Sequence, residues 1–272
     1  MNWTIATAVR RFVLIGALFP AVSFAQLFPV PLGENGSSDP AMTFLYEAKD
    51  AKATVIFIPG GAGSAGMKAD WDATKEYFLR GRYDRMLQRL SDPGVTSGNL
   101  NVVIYDSPMS LGDARTDARA GADHLSRIES VVRFYEERLK RPVWLMGHSN
   151  GTVSIAEFYK YLQRNKSENL VAGLIYSGGK NEASFGENTR IPVLFIHHGN
   201  DGCSYASAYH TQRLFDKLKE GGNVDSQFVL IKTGGPDGWK DLCHSGYHMY
   251  FGAKIEVADV IDQFVTKHMV SP

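Results

Sequence analysis

The sequence predicts an α/β fold, a doubly wound and mostly parallel sheet with helices on both faces. Three observations carry that prediction. Short runs rich in Val, Ile and Phe recur with apolar residues on consecutive positions, the pattern of strands buried on both faces. Between them lie stretches whose apolar residues step by three or four, the period of an amphipathic helix. The chain has 272 residues, of which 44% are hydrophobic, enough for the core of one large α/β domain.

The amino terminus reads as a removable segment. Arg10 and Arg11 are the only charged residues among the first 33, and the apolar run from Phe12 to Val22 follows them. With Ser23-Phe24-Ala25 as a small-x-small cleavage site, residues 1–25 have the pattern of a secretory signal peptide. The run is too short for a bilayer span, which needs roughly 20 apolar residues. No Cys follows it to take a lipid, so the expected mature chain is secreted or periplasmic, with no stable membrane insertion. Residues 26–40, dense in Pro, Gly and Ser, read as an irregular lead-in, and residues 41–272 as a single domain.

Within that domain the expected strands are Ala53 to Ile58, Asn101 to Tyr105, Pro142 to Met146, Leu170 to Tyr176, Pro192 to His197, and Gln227 to Lys232. Helical spacing links Leu125, Ile128, Val132, Tyr135 and Leu139, and then Ile155, Phe158, Tyr159 and Leu162. Val257, Val260, Ile261, Phe264 and Val265 give a closing helix. In sheets of this class ligands sit at the carboxyl ends of the strands, so chemistry is sought there.

Composition removes several functions. Lys plus Arg and Asp plus Glu number 29 each, so no charge excess points to nucleic acid or to an acidic membrane surface. Two cysteines are too few for a disulfide scaffold or a Cys-rich zinc module.

Two motifs compete for the chemistry. Gly61 to Gly66 spells G-x-G-x-x-G after the first strand of the set, the letters of a dinucleotide-binding loop. That reading needs an acid about 20 residues further on, whereas the next strand ends at Asp106, 40 residues after Gly66. The other motif is Gly147-His148-Ser149-Asn150-Gly151, set between the strand Pro142 to Met146 and a helix starting near Thr152. This is G-x-S-x-G in the strand-turn-helix context that exposes a serine hydroxyl above a sheet.

A serine hydroxyl attacks only when a base takes its proton, and the base needs an orienting acid. Asp201 stands on the loop after Pro192 to His197; His244 and His248 stand on the loop before the last helix. The chain order Ser149, Asp201, His248 is nucleophile, acid, base.

On these motifs the chain, from the strand at Ala53 to the helix ending near His268, resembles an α/β-hydrolase of the exported, esterase-like kind. The resemblance implies an ester-cleaving serine hydrolase with catalytic Ser149, Asp201 and His248. It also implies an oxyanion hole from the backbone N–H groups of Gly61 or Ala62 and of Asn150. One residue separates Gly199 from Asp201 where the family commonly has two, so Asp237 and Asp241 stand as alternative acids, and His244 as an alternative base. In an oxidising compartment Cys203, two residues after Asp201, and Cys243, five before His248, would bridge the acid loop to the base loop.

The remaining expectations concern partners. His197, His198, His244 and His248 could ligate zinc, but no H-E-x-x-H spacing occurs, and adjacent strand residues point to opposite faces. No metal and no cofactor is expected. The short stretch between Tyr176 and Ile191 leaves no room for a cap domain. Trp71, Tyr77, Phe78 and Tyr83, with Tyr105, Tyr176 and Tyr205, are candidate walls for a small-molecule or lipid-like ester. Two other classes stay open, a non-catalytic binder on the same fold and an oxidoreductase using the Gly61–Gly66 loop.

Overall fold

A strand sends successive side chains to opposite faces, so a run of consecutive apolar residues needs a packed layer on each side. The computed structural model describes residues 24–32, 40–67, 84–91, 100–107, 111, 116–186, 188–235, 241–244 and 246–269, and these supply both layers.

The described strands are β1 (Phe24–Val30), β2 (Ala41–Glu47), β3 (Ala53–Ile58), β4 (Leu100–Asp106), β5 (Val143–His148), β6 (Gly173–Ser177), β7 (Val193–His198) and β8 (Gln227–Ile231). They form one sheet in the order β1-β2-β4-β3-β5-β6-β7-β8. Pairing is antiparallel from β1 through β2 to β4 and parallel from there to β8. The described helices are α1 (Asp84–Ser91), α2 (Thr116–Ala120), α3 (Ala122–Leu139), α4 (Gly151–Arg164), α5 (Ala208–Glu220) and α6 (Lys254–Met269).

Neighbouring residues of β3 show the double winding. Ile56 and Ile58 join a core with Leu125, Ile128 and Val132 of α3 and with Ile155 and Phe158 of α4. Val55 and Phe57 join the opposite core, with Leu87 and Leu90 of α1 and Val257, Ile261 and Phe264 of α6. Each such side chain, fully buried, contributes about 1.5–3 kcal/mol of transfer free energy. The expected strands and helices are therefore present, with shifted ends in some. Leu170 closes a 3-10 turn, Glu168–Leu170, and the strand expected from Leu170 begins at Gly173.

Two expectations need correction. The lead-in expected to be irregular over residues 26–40 contains most of β1, paired with β2 from Phe24↔Glu47 to Val30↔Ala41. Pro29 is tolerated there because β1 lies at the sheet edge, where a missing N–H breaks no ladder on its outer side. β1 also begins inside the segment expected to be cleaved after Ala25; residues 1–23 of that segment lie outside the described residues. At the other edge β8 is largely half-buried or exposed, and only Ile231 of it is buried. An edge strand lacks the neighbour that makes the central strands dry.

Among the described residues no helix lies between β6 and β7, where a cap would insert, and none is long and apolar enough to cross a membrane.

Candidate active site

β5 ends at His148 and α4 begins at Gly151, so Ser149 and Asn150 must turn the chain from strand to helix. Ser149 takes φ 52°, in the left-handed region that costs a non-glycine residue about 1–2 kcal/mol. Its backbone is held on both sides. The N–H donates to the Ser177 carbonyl at 3.0 Å. Its carbonyl accepts from the Thr152 N–H at 2.9 Å and from Thr152 Oγ1 at 2.6 Å.

The two motif glycines are required by close approach. A Cβ on Gly147 would stand 2.4 Å from the Gly151 carbonyl oxygen, and one on Gly151 would stand 2.1 Å from that of Ile58. Only glycine lets α4 start this close to β3 and β5. Ser149 is half-buried at the top of the turn.

Asp201 stands on the loop that follows β7. Asp201 Oδ1 accepts the Cys203 N–H at 2.9 Å, and Oδ2 lies 2.7 Å from His248 Nδ1 and 2.9 Å from His197 Nε2. A carboxylate only accepts, so both imidazoles donate to it. Burial alone pushes the Asp201 carboxyl up. The hydrogen bonds and charge of His197 and His248 outweigh that and hold it well below the usual carboxylate range.

The structure thus brings Asp201 and His248 into contact. His248 is buried, its Nε2 has no hydrogen-bond partner among the described residues, and that includes Ser149 Oγ. The imidazole nevertheless lies against the serine turn, with its ring centroid 5.0 Å from that of His148, the residue preceding Ser149. Burial, reinforced by His248, holds His148 well below its ordinary 6.5 and so uncharged.

The alternatives lie elsewhere. His244 Nδ1 and Asp241 Oδ2 form an exposed pair at 2.6 Å. Asp237 is outside the described residues, as are Trp71, Tyr77, Phe78 and Tyr83. His197 and His198 point to opposite faces, His197 to Asp201 and Thr211, His198 to the Thr233 carbonyl at 2.8 Å. Among the described residues no three His, Cys, Asp or Glu side chains are placed to hold a metal ion. Of the proposed aromatic walls, Tyr105 and Tyr176 are core residues, and Tyr205 is 58% exposed.

The Gly-rich loop after β3 packs against the serine turn. The Gly61 carbonyl accepts from Asn150 Nδ2 at 3.1 Å and from Arg119 Nη2 at 2.8 Å. Further along, the Asp106 carboxylate accepts the N–H groups of Ala65 and Met67. Cys203 and Cys243 are disulfide-bonded, with Cα atoms 4.6 Å apart.

No family model and no curated protein matches the chain. Solved structures do. A lidless α/β serine hydrolase from Xanthomonas campestris superposes with TM-score 0.57 at 12% identity, over 94% of this chain and 99% of that one. The α/β-hydrolase fold is the fold of this chain. An esterase from Pyrobaculum calidifontis gives TM-score 0.60 at 12% identity, covering 93% of this chain and 88% of its own. Dienelactone hydrolase from Anabaena variabilis gives 0.56 at 14%, covering 90% and 98%. In this chain Ser149, Asp201 and His248 follow β5, β7 and β8 of that fold's parallel sheet.

Sequence reasoning named His197 only as a possible zinc ligand, not as a partner of Asp201, and it did not single out Arg119 or Ser154 beside the serine turn. His197 had a signal, since it is one of two adjacent histidines four residues before the acid. Arg119 and Ser154 sit in ordinary helical sequence and had none.

Proposed function

We propose that this chain is an exported serine hydrolase that cleaves carboxylic esters through an acyl-enzyme. The observation that carries the proposal is the Asp201–His248 contact at 2.7 Å beside a serine held at φ 52° between β5 and α4. Ser149 Oγ attacks the ester carbonyl while His248 Nε2 takes its proton. His248 then returns that proton to the departing alkoxide, and water repeats the sequence to release the acid. Asp201 fixes the imidazole with Nδ1 protonated and stabilises its charged form. The N–H groups of Gly61 or Ala62 and of Asn150 receive the oxyanion.

Esterase and serine hydrolase neighbours support the reaction class, and the signal-like amino terminus together with the Cys203–Cys243 bond supports export. With no helix between β6 and β7 among the described residues, the site suits small-molecule or lipid-like esters that need no closing cap. The dinucleotide alternative loses its loop, because Asp106 occupies N–H groups that a pyrophosphate would need.

The test is hydrolysis of p-nitrophenyl esters of graded acyl length by the mature chain and by Ser149→Ala. Turnover lost in the variant supports the proposal. Equal rates in both, or none in the folded wild type, would overturn it.

A further inference from the structure

Arg119, on α2, is 1% exposed, and its guanidinium reaches two elements at once. Nη2 donates to the Gly61 carbonyl at 2.8 Å, and Nη1 donates to Ser154 Oγ at 2.7 Å. Ser154 lies in the first turn of α4, the helix that starts two residues after Ser149. One planar side chain therefore spans the Gly-rich loop and the serine turn, a geometry suited to the fixed fork of arginine.

The Gly61 carbonyl belongs to the same peptide group as the Ala62 N–H. That group is trans, so the N–H points opposite to the oxygen held by Arg119 and Asn150. Four other N–H groups of the loop are already used. Gly63 donates to the Gly60 carbonyl, Ala65 and Met67 to Asp106, and Gly66 to Ser64 Oγ. The Ala62 N–H makes no hydrogen bond among the described residues. A buried cation on the carbonyl oxygen also draws electron density from the amide and strengthens it as a donor.

We infer that Arg119 is a positioning residue for the oxyanion, setting the direction and donor strength of the Ala62 N–H through the Gly61 carbonyl. The inference rests on the serine-hydrolase reading above. Ester substrate and transition state differ most at the carbonyl oxygen, so the brace acts on kcat rather than on KM. His124 shares Ser154 Oγ at 2.9 Å and is held uncharged by burial and by Arg119, so it does not compete as a second cation.

The experiment compares wild type, Arg119→Met and Arg119→Lys in the mature chain, each checked for folding by circular dichroism. Hydrolysis of p-nitrophenyl butyrate gives kcat and KM, and an alkyl trifluoromethyl ketone, which adds to the serine as a hemiketal oxyanion, gives Ki. The expected result is a kcat lower by roughly 10- to 100-fold, an unchanged KM and a Ki raised by the same factor. Added guanidinium chloride at non-denaturing concentration partly restores kcat in Arg119→Met. If Arg119→Met does not fold, Arg119→Lys, which keeps the charge but lacks the fork, gives the same split. Folded variants with wild-type kcat, a loss confined to KM, or an unmoved Ki would overturn the inference. An inert wild type would instead remove the serine-hydrolase reading and this inference together.

Discussion

His248 Nδ1 donates to Asp201 Oδ2 across 2.7 Å, although 47 positions separate the two residues. Their loops are also joined covalently, because Cys203 and Cys243 flank the contact on both strands of chain. The Cys203 N–H holds Asp201 Oδ1 at 2.9 Å, so the residue that carries the disulfide also orients the Asp201 carboxylate. A covalent tie of this kind reduces the freedom of two loops that would otherwise set the acid-to-base spacing independently.

The disulfide is expected in protein produced in an oxidising compartment. Peptide mapping without reduction should find Cys203 joined to Cys243, and replacing both by Ala should lower stability by about 4 kcal/mol on the loop-entropy model for a separation of 40 residues. Two free thiols in protein produced there would remove this tie from the account.

Replacing the acid tests its role. Asp201→Asn should lower kcat by roughly 10³- to 10⁴-fold with a small change in KM, because the amide no longer enforces the tautomer with Nδ1 protonated. Steady-state kinetics decide it, and a variant near wild-type activity would reassign the acid.

The turn geometry makes a stability prediction. In Gly151→Ala the new Cβ would meet the Ile58 carbonyl oxygen at 2.1 Å, which forces β3 and α4 apart. Urea unfolding should show a loss of about 3 kcal/mol, with reactivity at Ser149 falling too. An unchanged midpoint would mean that the helix starts less tightly against the strand.

Acid should destabilise the fold through His124. Burial first, then Arg119, lowers its imidazole from 6.5 to about 3. Between those values the unfolded chain binds the extra proton and the native chain does not, so stability rises with pH there. The contribution is complete above 6.5 and is lost as pH falls toward 3. His124→Gln should flatten the acid side of the stability curve by up to about 1.4 kcal/mol per pH unit. Parallel curves for variant and wild type would contradict the assignment.

Much of this fold was legible because its central strands are buried on both faces and written as unbroken apolar runs, as in Ala53–Ile58. β1 and β2 were not, since Pro29 mimics a loop and Ala41–Glu47 mixes Met, Thr, Tyr and Glu with its apolar residues. Ser149 was legible because its turn admits only glycine at Gly147 and Gly151, and that demand is local. Asp201 and His248 could be placed at strand ends by order along the chain. Arg119 could not, because what distinguishes it is contact with Gly61, 58 positions away, and no local pattern encodes that.

The central claim is that Ser149 is an activated nucleophile. Labelling the mature protein with a fluorophosphonate, followed by mass mapping of the adduct, tests it most directly. The account predicts one adduct, on Ser149, absent from Ser149→Ala while thermal unfolding of that variant stays close to wild type. A folded wild type that takes no label, or takes it at another residue, would contradict it.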